Sequence, residues 1–311
     1  MHYYNHQTSL YFEQFAHETE FKPTESWVVL SPIEKQIKEK IEAIGTPLKE
    51  WDININYGIK TGFNEAFIIS GEKRKELIEQ DPKSDEIIRP LLRGRDIKRY
   101  SYEFADLYLL FIPWHFPLHN NPNITGASLE AEKEFENQYP AIYNHLLNYK
   151  KELSNRNKAE TGIRYEWYAL QRWGANYWED FSKQKIVYND IAQKLTFAFA
   201  EENIFFNNTV YFINGNENEL KYLIGFLNSS LIDWYYKTQS VQLGEKAVRL
   251  FSIYVEKIPI IKFDQQNGVI ELSDSMLSNL NNSKEKEIEL NRLIYNLYDL
   301  TNEEIEFIEA Q

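Results

Sequence analysis

The chain has 311 residues and is rich in aromatic side chains, with 19 Phe, 21 Tyr and 7 Trp, so it can bury a sizeable core and is not of the disordered class. It has no cysteine, which excludes disulfides, thiolate zinc sites and cysteine nucleophiles, and no apolar run approaching about 18 residues, which excludes a membrane span. The formal net charge of −13 argues against nucleic-acid binding, which usually needs a basic surface. The N-terminus lacks a secretory signal, so the sequence predicts a cytoplasmic protein without membrane association.

The first clear element is a capped helix. Ser31 is a candidate N-cap, Pro32 occupies the first helical position, and Glu34 completes a capping box. An apolar stripe with helical spacing follows, and Gly45 ends it. Residues 1–30 show no comparable period and are predicted to be a connector from an earlier part of a longer protein.

Short strand candidates dominate the middle of the chain. Two of them, at 53–57 and 66–69, flank the glycine-containing stretch GIKTG at 58–62. Helical patterns are shorter here: one lies between two turn signals in DPKSDEIIRPLLRG, and another begins at Pro140. The remaining strand candidates are the apolar runs LYLLFI, KIVYND, LTFAFA and VYFI.

The C-terminal part is predicted to be helical. ELKYLIGFLNSSLIDWYYK keeps helical apolar spacing over about four turns, which predicts one long helix over 217–238. A second apolar face predicts further helix over 283–309, where Thr301 and Glu304 form another capping box.

Strands and helices are mixed without regular alternation, which favours the α+β class. We expect a mixed-sheet lobe over 31–215, preceded by the connector 1–30. Long amphipathic helices should follow over 216–311, with a strand segment near 249–261.

The stretch GIKTG has the composition of half a phosphate-binding loop. Such a loop needs GxxxxGK[ST], in which the lysine follows the second glycine and opens a helix. Here Lys60 and Thr61 precede Gly62, and the residues that follow are predicted to be a strand. A tight turn in which the glycines adopt positive φ is therefore favoured over a nucleotide site.

No catalytic constellation stands out, and neither GxSxG nor HExxH occurs. His115 and His119 have the spacing of metal ligands on a helix, but Pro117 lies between them and argues against a helix there. Asp190 and Lys194 are an isolated pair with only a faint similarity to a nuclease core. The sequence therefore predicts no catalytic residue and no metal site.

Two stretches are basic or aromatic. Residues 89–99 carry a net charge of +4 against −5 for 283–311, and steering follows the local field rather than the total charge. In 160–178, Arg164 and Arg172 lie among tyrosines and tryptophans; arginine can bind guanine edges or phosphates, and aromatic rings can stack on bases. The alternative is that most of these rings are core residues and that the arginines serve as partners on the surface.

Several separated stretches together resemble the target-recognition region of type IIG restriction–modification enzymes. This is the TaqI-like C-terminal specificity domain, which is related to the specificity subunits of type I systems. The resemblance spans roughly residues 27–309. The stretches that carry it are, in order, KIEAIGTPLKEWDININYGIKTGFNEAFII, DPKSDEIIRPLLRGRDIKRY, DLYLLFIP, YEWYALQRW, KIVYNDI, FFNNTVYFI, LKYLIGFLNSSLIDWYYK, YVEKIPI and NRLIYNLYDLTNEEIEFIE.

The resemblance implies a module that reads a short duplex DNA sequence and presents it to an adenine methyltransferase, often with a nuclease on the same polypeptide. It implies no cofactor in this chain: S-adenosylmethionine and Mg would bind only in the absent catalytic regions. The implied partners are double-stranded DNA and the methyltransferase or nuclease region of the same or a partner polypeptide.

We expect one face to gather the DNA-binding residues, with the acidic residues of 283–311 elsewhere. Lys60 and the backbone amides of 58–62 should meet the sugar–phosphate backbone, while Arg164 and Arg172 should read bases. The predicted DNA-binding residues are Lys60, Thr61, Arg93, Arg95, Lys98, Arg99, Arg164, Trp167, Arg172 and Trp173. For Arg95 the alternative is a structural pair with Asp96.

Two other functions stay open at this point. A carbohydrate- or peptide-binding module would present exposed aromatic rings without a basic groove, and the cluster at 89–99 counts against it. A metal hydrolase would use His115, His119 and acids that come together only in the fold.

Overall fold

A computed structural model describes residues 30–240, 242–243, 247–263, 268–279 and 283–311. The predicted connector, apart from its last residue, lies outside the described residues. Helices and strands are mixed, the sheets are antiparallel or mixed, and helices dominate the C-terminal part, which confirms the predicted α+β class. The predicted domain boundary at 215 stays a prediction.

The first half of the chain alternates short strands with short helices. Its elements are α1 (Pro32–Ile44), β1 (Thr46–Pro47), β2 (Asn54–Tyr57), α2 (Asn64–Phe67), β3 (Ile68–Ser70), α3 (Gly71–Gln80), β4 (Ile88–Leu92), β5 (Ile97–Lys98), β6 (Ser101–Tyr102), β7 (Leu107–Leu110), α4 (Leu129–Gln138), α5 (Pro140–Leu147) and α6 (Lys150–Asn155). Short 3-10 turns lie at Leu48–Glu50, Pro82–Ile87, Gly94–Asp96 and Trp178–Ser182.

The second half begins with strands and ends with helices. Its elements are β8 (Lys185–Asn189), β9 (Ile191–Ala192), β10 (Phe197–Ala200), β11 (Phe205–Phe206), β12 (Val210–Asn214), α7 (Glu217–Leu227), α8 (Ser230–Gln239), β13 (Gln242–Leu243), β14 (Ala247–Arg249), α9 (Ser252–Val255), β15 (Pro259–Ile260), α10 (Val269–Ser278), α11 (Ser283–Leu297) and α12 (Asn302–Glu309).

Two four-stranded sheets organise the fold. The first has the order β10-β8-β12-β2, and all its neighbours pair antiparallel. The second has the order β11-β4-β7-β3, in which β11 runs parallel to β4 and the other pairs are antiparallel. Smaller pairings join β1 to β15, β5 to β6, and β13 and β9 to β14.

The two faces of the first sheet enter different cores. On β8, Val187 packs with the second sheet and helices α3–α6, whereas Ile186 and Tyr188 pack with α1 and helices α7–α12. Successive side chains of a strand point to opposite faces. The run KIVYN therefore lacks polar–apolar alternation because both faces of this strand are buried.

The capping boxes predicted at the two ends of the chain are both present. The backbone N–H of Ser31 donates to the Glu34 carboxylate at 2.7 Å, and the N–H of Glu34 donates to the Ser31 hydroxyl at 3.4 Å. Thr301 and Glu304 make the same reciprocal bonds, at 2.7 and 3.3 Å, at the start of α12.

The long helix predicted over 217–238 is wrong, because the chain forms two helices that break at Asn228. The buried Asn228 side chain accepts from the backbone N–H of Phe197 at 3.0 Å and donates to its carbonyl at 2.9 Å. Ser229 then caps α8 by accepting from the N–H of Ile232 at 3.2 Å. The asparagine therefore hydrogen-bonds the edge of β10 as an additional strand residue would.

Two other predicted elements differ in their limits. The strand candidate at 66–69 begins as the end of the single helical turn α2, and strand β3 follows it. The helical stretch expected over 283–309 consists of α11 and α12; α12 begins at the predicted capping box, and Asp299 between the two helices lies in the left-handed region at φ 52°.

We expect Leu227→Ala to lower the free energy of unfolding by about 2–5 kcal/mol, because Leu227 is buried on α7 in the core against the first sheet. Leu129 on α4 is 78% exposed and offers a matched control: Leu129→Ala should change the stability by less than about 0.5 kcal/mol. Urea unfolding measures both changes. An unchanged midpoint for Leu227→Ala would contradict the burial of this side chain.

Candidate nucleic-acid interface

The turn at 58–62 is held by backbone contacts rather than shaped to hold a phosphate. The N–H of Gly58 donates to the carbonyl of Val210 at 2.8 Å, and the N–H of Ile59 donates to that of Phe206 at 2.6 Å. A Cβ on Gly58 would lie 2.1 Å from the Asn207 carbonyl oxygen, so only glycine fits. The amides of Gly58 and Ile59 are therefore not available to the sugar–phosphate backbone, contrary to the expectation for these two residues.

Lys60 and Arg172 form a hydrogen-bonded pair across this turn. Each donates its N–H to the carbonyl of the other, at 3.0 and 2.9 Å. Lys60 is exposed and has no ion pair within the described part of the chain. Thr61, in contrast, is 3% exposed, and its hydroxyl donates to the Asn64 side chain at 2.7 Å. Of the two predicted contacts in this turn, the structure brings only the Lys60 side chain to the surface.

Glu160 joins the two arginines of the aromatic stretch. Arg172 donates through both terminal nitrogens to the two Glu160 oxygens at 2.9 and 3.0 Å, and Arg164 donates through Nη1 at 3.0 Å. Hydrogen bonding from Arg172 lowers the pKa of Glu160, and both arginine charges add to the effect. The Arg172 fork is therefore occupied, whereas Arg164, whose side chain is 59% exposed, keeps free nitrogens.

The two arginines also share an aromatic base. Their guanidinium groups lie 5.4 Å (Arg164) and 5.9 Å (Arg172) from the centre of the Trp114 ring. Trp114 stacks on the buried Tyr165 ring with 4.8 Å between the centres. Cation–aromatic contacts of this kind fix arginines at a surface without neutralising them.

Arg156 is a positioning residue that the sequence analysis missed. Its Nη1 donates to the Thr61 carbonyl at 2.5 Å, and its Nη2 donates to the carbonyls of Trp167 at 3.1 Å and of Ala169. Burial lowers the pKa of Arg156 to about 10. This one guanidinium ties the Lys60 turn to the segment that leads to Arg172. No local pattern marks it, because its partners are carbonyls distant in sequence.

The predicted aromatic contacts, Trp167 and Trp173, belong to the core. Trp167 is buried and donates its Nε1–H to Glu132 at 2.6 Å. Trp173 is half-buried and packs edge-on against Phe111 at 6.3 Å between ring centres. The alternative raised from the sequence, that most rings of this stretch are core residues, describes these two.

Within the basic cluster at 89–99, Arg93 is paired and Arg95 is not. Arg93 donates to both oxygens of Asp96 at 3.0 and 2.8 Å. Burial alone would raise the pKa of Asp96, but the hydrogen bonds and charge of Arg93 hold it below its usual range. Arg95 is exposed and has no ion pair among the residues that the structure describes. The structural partner of Asp96 is therefore Arg93, three residues away, rather than the adjacent Arg95.

The last two basic residues of this cluster face acids. Lys98 lies 3.5 Å from Glu103, and Arg99 donates its Nε–H to Glu287 of α11 at 2.9 Å. The expectation that the acids of 283–311 lie away from the predicted DNA-binding residues is therefore wrong at Glu287. The C-terminal helices contact the lobe at this point.

Several turns of the lobe meet at the segment 207–209. The N–H of Asn207 donates to the carbonyl of Leu92 at 3.3 Å, next to the Arg93–Arg95 turn. The N–H of Gly94 donates to the Thr209 hydroxyl at 3.2 Å, and the N–H of Asp190 donates to the Thr209 carbonyl at 3.0 Å. We call this segment and the turns bonded to it, at 58–60, 93–95 and 190, the rim.

The rim brings together Lys60 and Arg95, the two predicted residues whose charges have no ion pair in the described ranges. Tyr57, which precedes the turn at 58–60, is 42% exposed. Asp190 belongs to the rim, and Arg249, whose charge acts on it, lies beside the rim; neither was predicted as a binding residue. Their proximity depends on the pairing of β14 with β9, which sequence spacing does not indicate.

The histidines considered as metal ligands have separate partners. His115 donates its backbone N–H to Glu166 at 2.8 Å, and its Nδ1 lies 3.0 Å from the same carboxylate. His119 stacks on Phe116. The described residues include no group of three or more His, Cys, Asp or Glu placed to hold a metal ion. In the same part of the chain, no helix combines the length and apolarity needed to cross a membrane.

Comparison with protein families identifies a specificity domain. The family described as the TaqI-like C-terminal specificity domain matches residues 89–260, which is more than half of the chain. A relative, the type II methyltransferase M.MjaIV of Methanocaldococcus jannaschii, is 23% identical over 237 residues, covering 75% of this chain and 74% of the relative. The family match includes the Arg95 turn, Asp190 and Arg249, and begins after the Lys60 turn.

The similar solved structures include the following two. The type IIL restriction-modification enzyme MmeI, in complex with DNA, superposes with a TM-score of 0.58 at 13% identity over 92% of this chain and 36% of that one. The type IIG restriction endonuclease BpuSI gives a TM-score of 0.45 at 13% identity over 86% and 33%. The chain thus spans about a third of the length of these structures, and at this identity the likeness to MmeI is one of fold.

Arg156→Met should lower the free energy of unfolding by roughly 1–3 kcal/mol, because it leaves carbonyls that are largely shielded from water without their donor. Lys158 is an exposed neighbour, and Lys158→Met should change the stability by less than about 0.5 kcal/mol. Chemical denaturation compares the two variants. Equal, small changes would show that the guanidinium does not hold the turn.

Proposed function

Because the chain belongs to the family of TaqI-like C-terminal specificity domains, we propose that it selects the DNA sequence on which a restriction–modification enzyme acts. The observation that carries the proposal is the rim, where the exposed side chains of Lys60 and Arg95 make no ion pair among the described residues, on a chain of net charge −13. A duplex is attracted by the local field, so two free cations at one edge favour this surface over the acidic remainder. The family assignment does not favour the carbohydrate- or peptide-binding alternative.

Within this proposal, the ten predicted DNA-binding residues differ in their exposure and in the number of hydrogen-bond donors that they keep free. Lys60, Arg95 and Arg164 are exposed and keep free donors, which suits contacts with phosphate or base. Arg93 and Arg172 already use two nitrogens each on a carboxylate. The DNA-binding roles of all ten remain predictions.

We assign catalysis to another region of the enzyme. The family is described by its specificity role, and the chain covers about a third of the MmeI and BpuSI chains. An adenine methyltransferase region, with or without a nuclease, is the proposed partner on the same or another polypeptide. S-adenosylmethionine and Mg are proposed to bind there rather than on this chain.

Lys60→Ala and Arg95→Ala should each weaken binding about equally on all DNA sequences, because a rim cation of this kind contacts phosphate. Each should also reduce the slope of log K against log salt by about one unit. The measurement is a binding titration of the whole enzyme at several salt concentrations on duplexes with and without its target.

The matched control for these variants is Lys75→Ala. Lys75 is an exposed lysine on α3, which packs beside β3 at the edge of the second sheet opposite β11, and therefore away from the rim. It should leave both the affinity and the salt slope unchanged. If Lys75→Ala lowers the slope as much as the rim variants do, the rim is not the DNA surface.

Glu160→Gln should strengthen binding to all DNA and steepen the salt dependence by about one unit. The substitution removes the negative charge that Arg164 and Arg172 share and keeps a side chain of the same length. The same titration detects the change. Weaker binding would show instead that the arginines need the carboxylate to hold them in place.

A further inference from the structure

Asp190, Ile191 and Arg249 form a second group of side chains at the rim. Strand β14 pairs antiparallel with β9 so that Arg249 lies directly opposite Ile191. Directly opposed residues of an antiparallel pair project from the same face. The Ile191 and Arg249 side chains therefore stand beside each other, and Asp190 precedes them at the end of β8.

Backbone contacts hold this group firmly. The Asp190 carbonyl accepts from the N–H of Leu250 at 2.9 Å, while its N–H donates to Thr209 at 3.0 Å. The Arg249 carbonyl accepts from the hydroxyl of the buried Tyr236 at 2.6 Å. These contacts fix the backbone that carries the three side chains, which lowers the ordering cost of binding a partner there.

The charges of this group are close but not joined. Within the described ranges neither Asp190 nor Arg249 has an ion pair, and the Arg249 guanidinium lies 5.2 Å from the centre of the Phe251 ring. Burial raises the pKa of Asp190, and the nearby charge of Arg249 offsets only part of that rise. Asp96 and Glu160, in contrast, are each bound by an arginine. Asp190 is thus a half-buried carboxylate without an arginine of its own.

A carboxylate on a surface that binds DNA is repelled by phosphates, so phosphate binding gives no reason for Asp190. Contact with base edges does give a reason for a carboxylate at this position. In the major groove a carboxylate accepts from the amino group of cytosine, arginine donates to the O6 and N7 atoms of guanine, and an apolar side chain contacts the thymine methyl group. The three side chains match these three contacts, and Ile191 is 41% exposed.

We propose that Asp190 and Arg249 read base edges in the major groove of the target, with Ile191 as their apolar neighbour, while Lys60 and Arg95 hold the phosphates. This inference rests on the proposed function and adds which side chains specify the sequence. Arg249 takes a guanine through its two donors, and Asp190 takes an amino group of an adjacent cytosine or adenine.

The test is a selection of bound duplexes from a pool with a randomised centre, followed by sequencing. The whole enzyme is used, as wild type and as the variants Asp190→Asn, Arg249→Gln and Lys60→Ala. Wild type should enrich one motif. The Asp190 and Arg249 variants should each change or relax a position of that motif, with discrimination at that base pair falling roughly 10- to 100-fold. Lys60→Ala should enrich the unchanged motif with lower affinity.

Two results would overturn the inference, and they differ in what else they overturn. If wild type enriches a motif and both variants enrich the same motif, base reading by Asp190 and Arg249 is wrong while the proposed function stands. If wild type enriches no motif, the proposed function fails and the inference fails with it. Thermal unfolding of each variant identifies loss of folding, and because Asp190 and Arg249 lie on different segments of the chain, one variant still tests the inference if the other does not fold.

Discussion

The burial of both faces of the sheet β10-β8-β12-β2 is the constraint on which the rest of the structure depends. One face packs under the second sheet and its helices, and the other packs under α1 and the C-terminal helices. A one-residue slip in register would exchange the side chains of the two cores. The constraint applies even to the one charged residue of β8. Lys185 is fully buried, donates to the carbonyls of Phe181 at 2.7 Å and Glu201 at 3.2 Å, and has its pKa lowered to about 7 by burial.

The register of that sheet fixes the positions of the turns that form the rim. Strands β2 and β8 both pair with β12 in fixed register. The turn that carries Lys60 follows β2 directly, and Asp190 follows β8. The segment 207–209 between β11 and β12 bonds the Arg95 turn of the second sheet to the same edge. Binding side chains on short turns between rigid strands can vary without disturbing either core. A recognition surface that must change from one target sequence to another suits such a position.

Local patterns in the sequence were sufficient for elements whose cause is local. The capping boxes at Ser31 and Thr301 lie within four consecutive residues, and the structure contains both. The break at Asn228 was missed because its cause is the backbone of Phe197, which is distant in sequence. The family was identified because several stretches in order resemble it, although no single stretch indicates DNA binding.

The candidate site was harder to predict because side-chain pairing decides which charges are free. Sequence alone treats Arg93 and Arg95 alike, yet one is bound to Asp96 and the other is exposed. In the sequence, Asp190 was considered only together with Lys194. Arg249, whose charge acts on Asp190, lies on a strand far along the chain. Charge counts over a window therefore overestimate the basic surface.

That overestimate bears on how an acidic chain can recognise DNA. Arg93, Arg99 and Arg172 are each matched by a carboxylate, so these three predicted cations have less free charge to offer to phosphates. Non-specific affinity grows with the number of phosphates neutralised, whereas discrimination comes from base contacts. A surface whose arginines are partly neutralised, and which also carries an acid and an arginine able to contact bases, is therefore expected to favour discrimination over non-specific affinity. In a genome with many competing sites, the ratio of these two affinities matters more than either one. Pairing these arginines internally thus suits the proposed role, provided that the partner region of the enzyme supplies further contacts with the duplex.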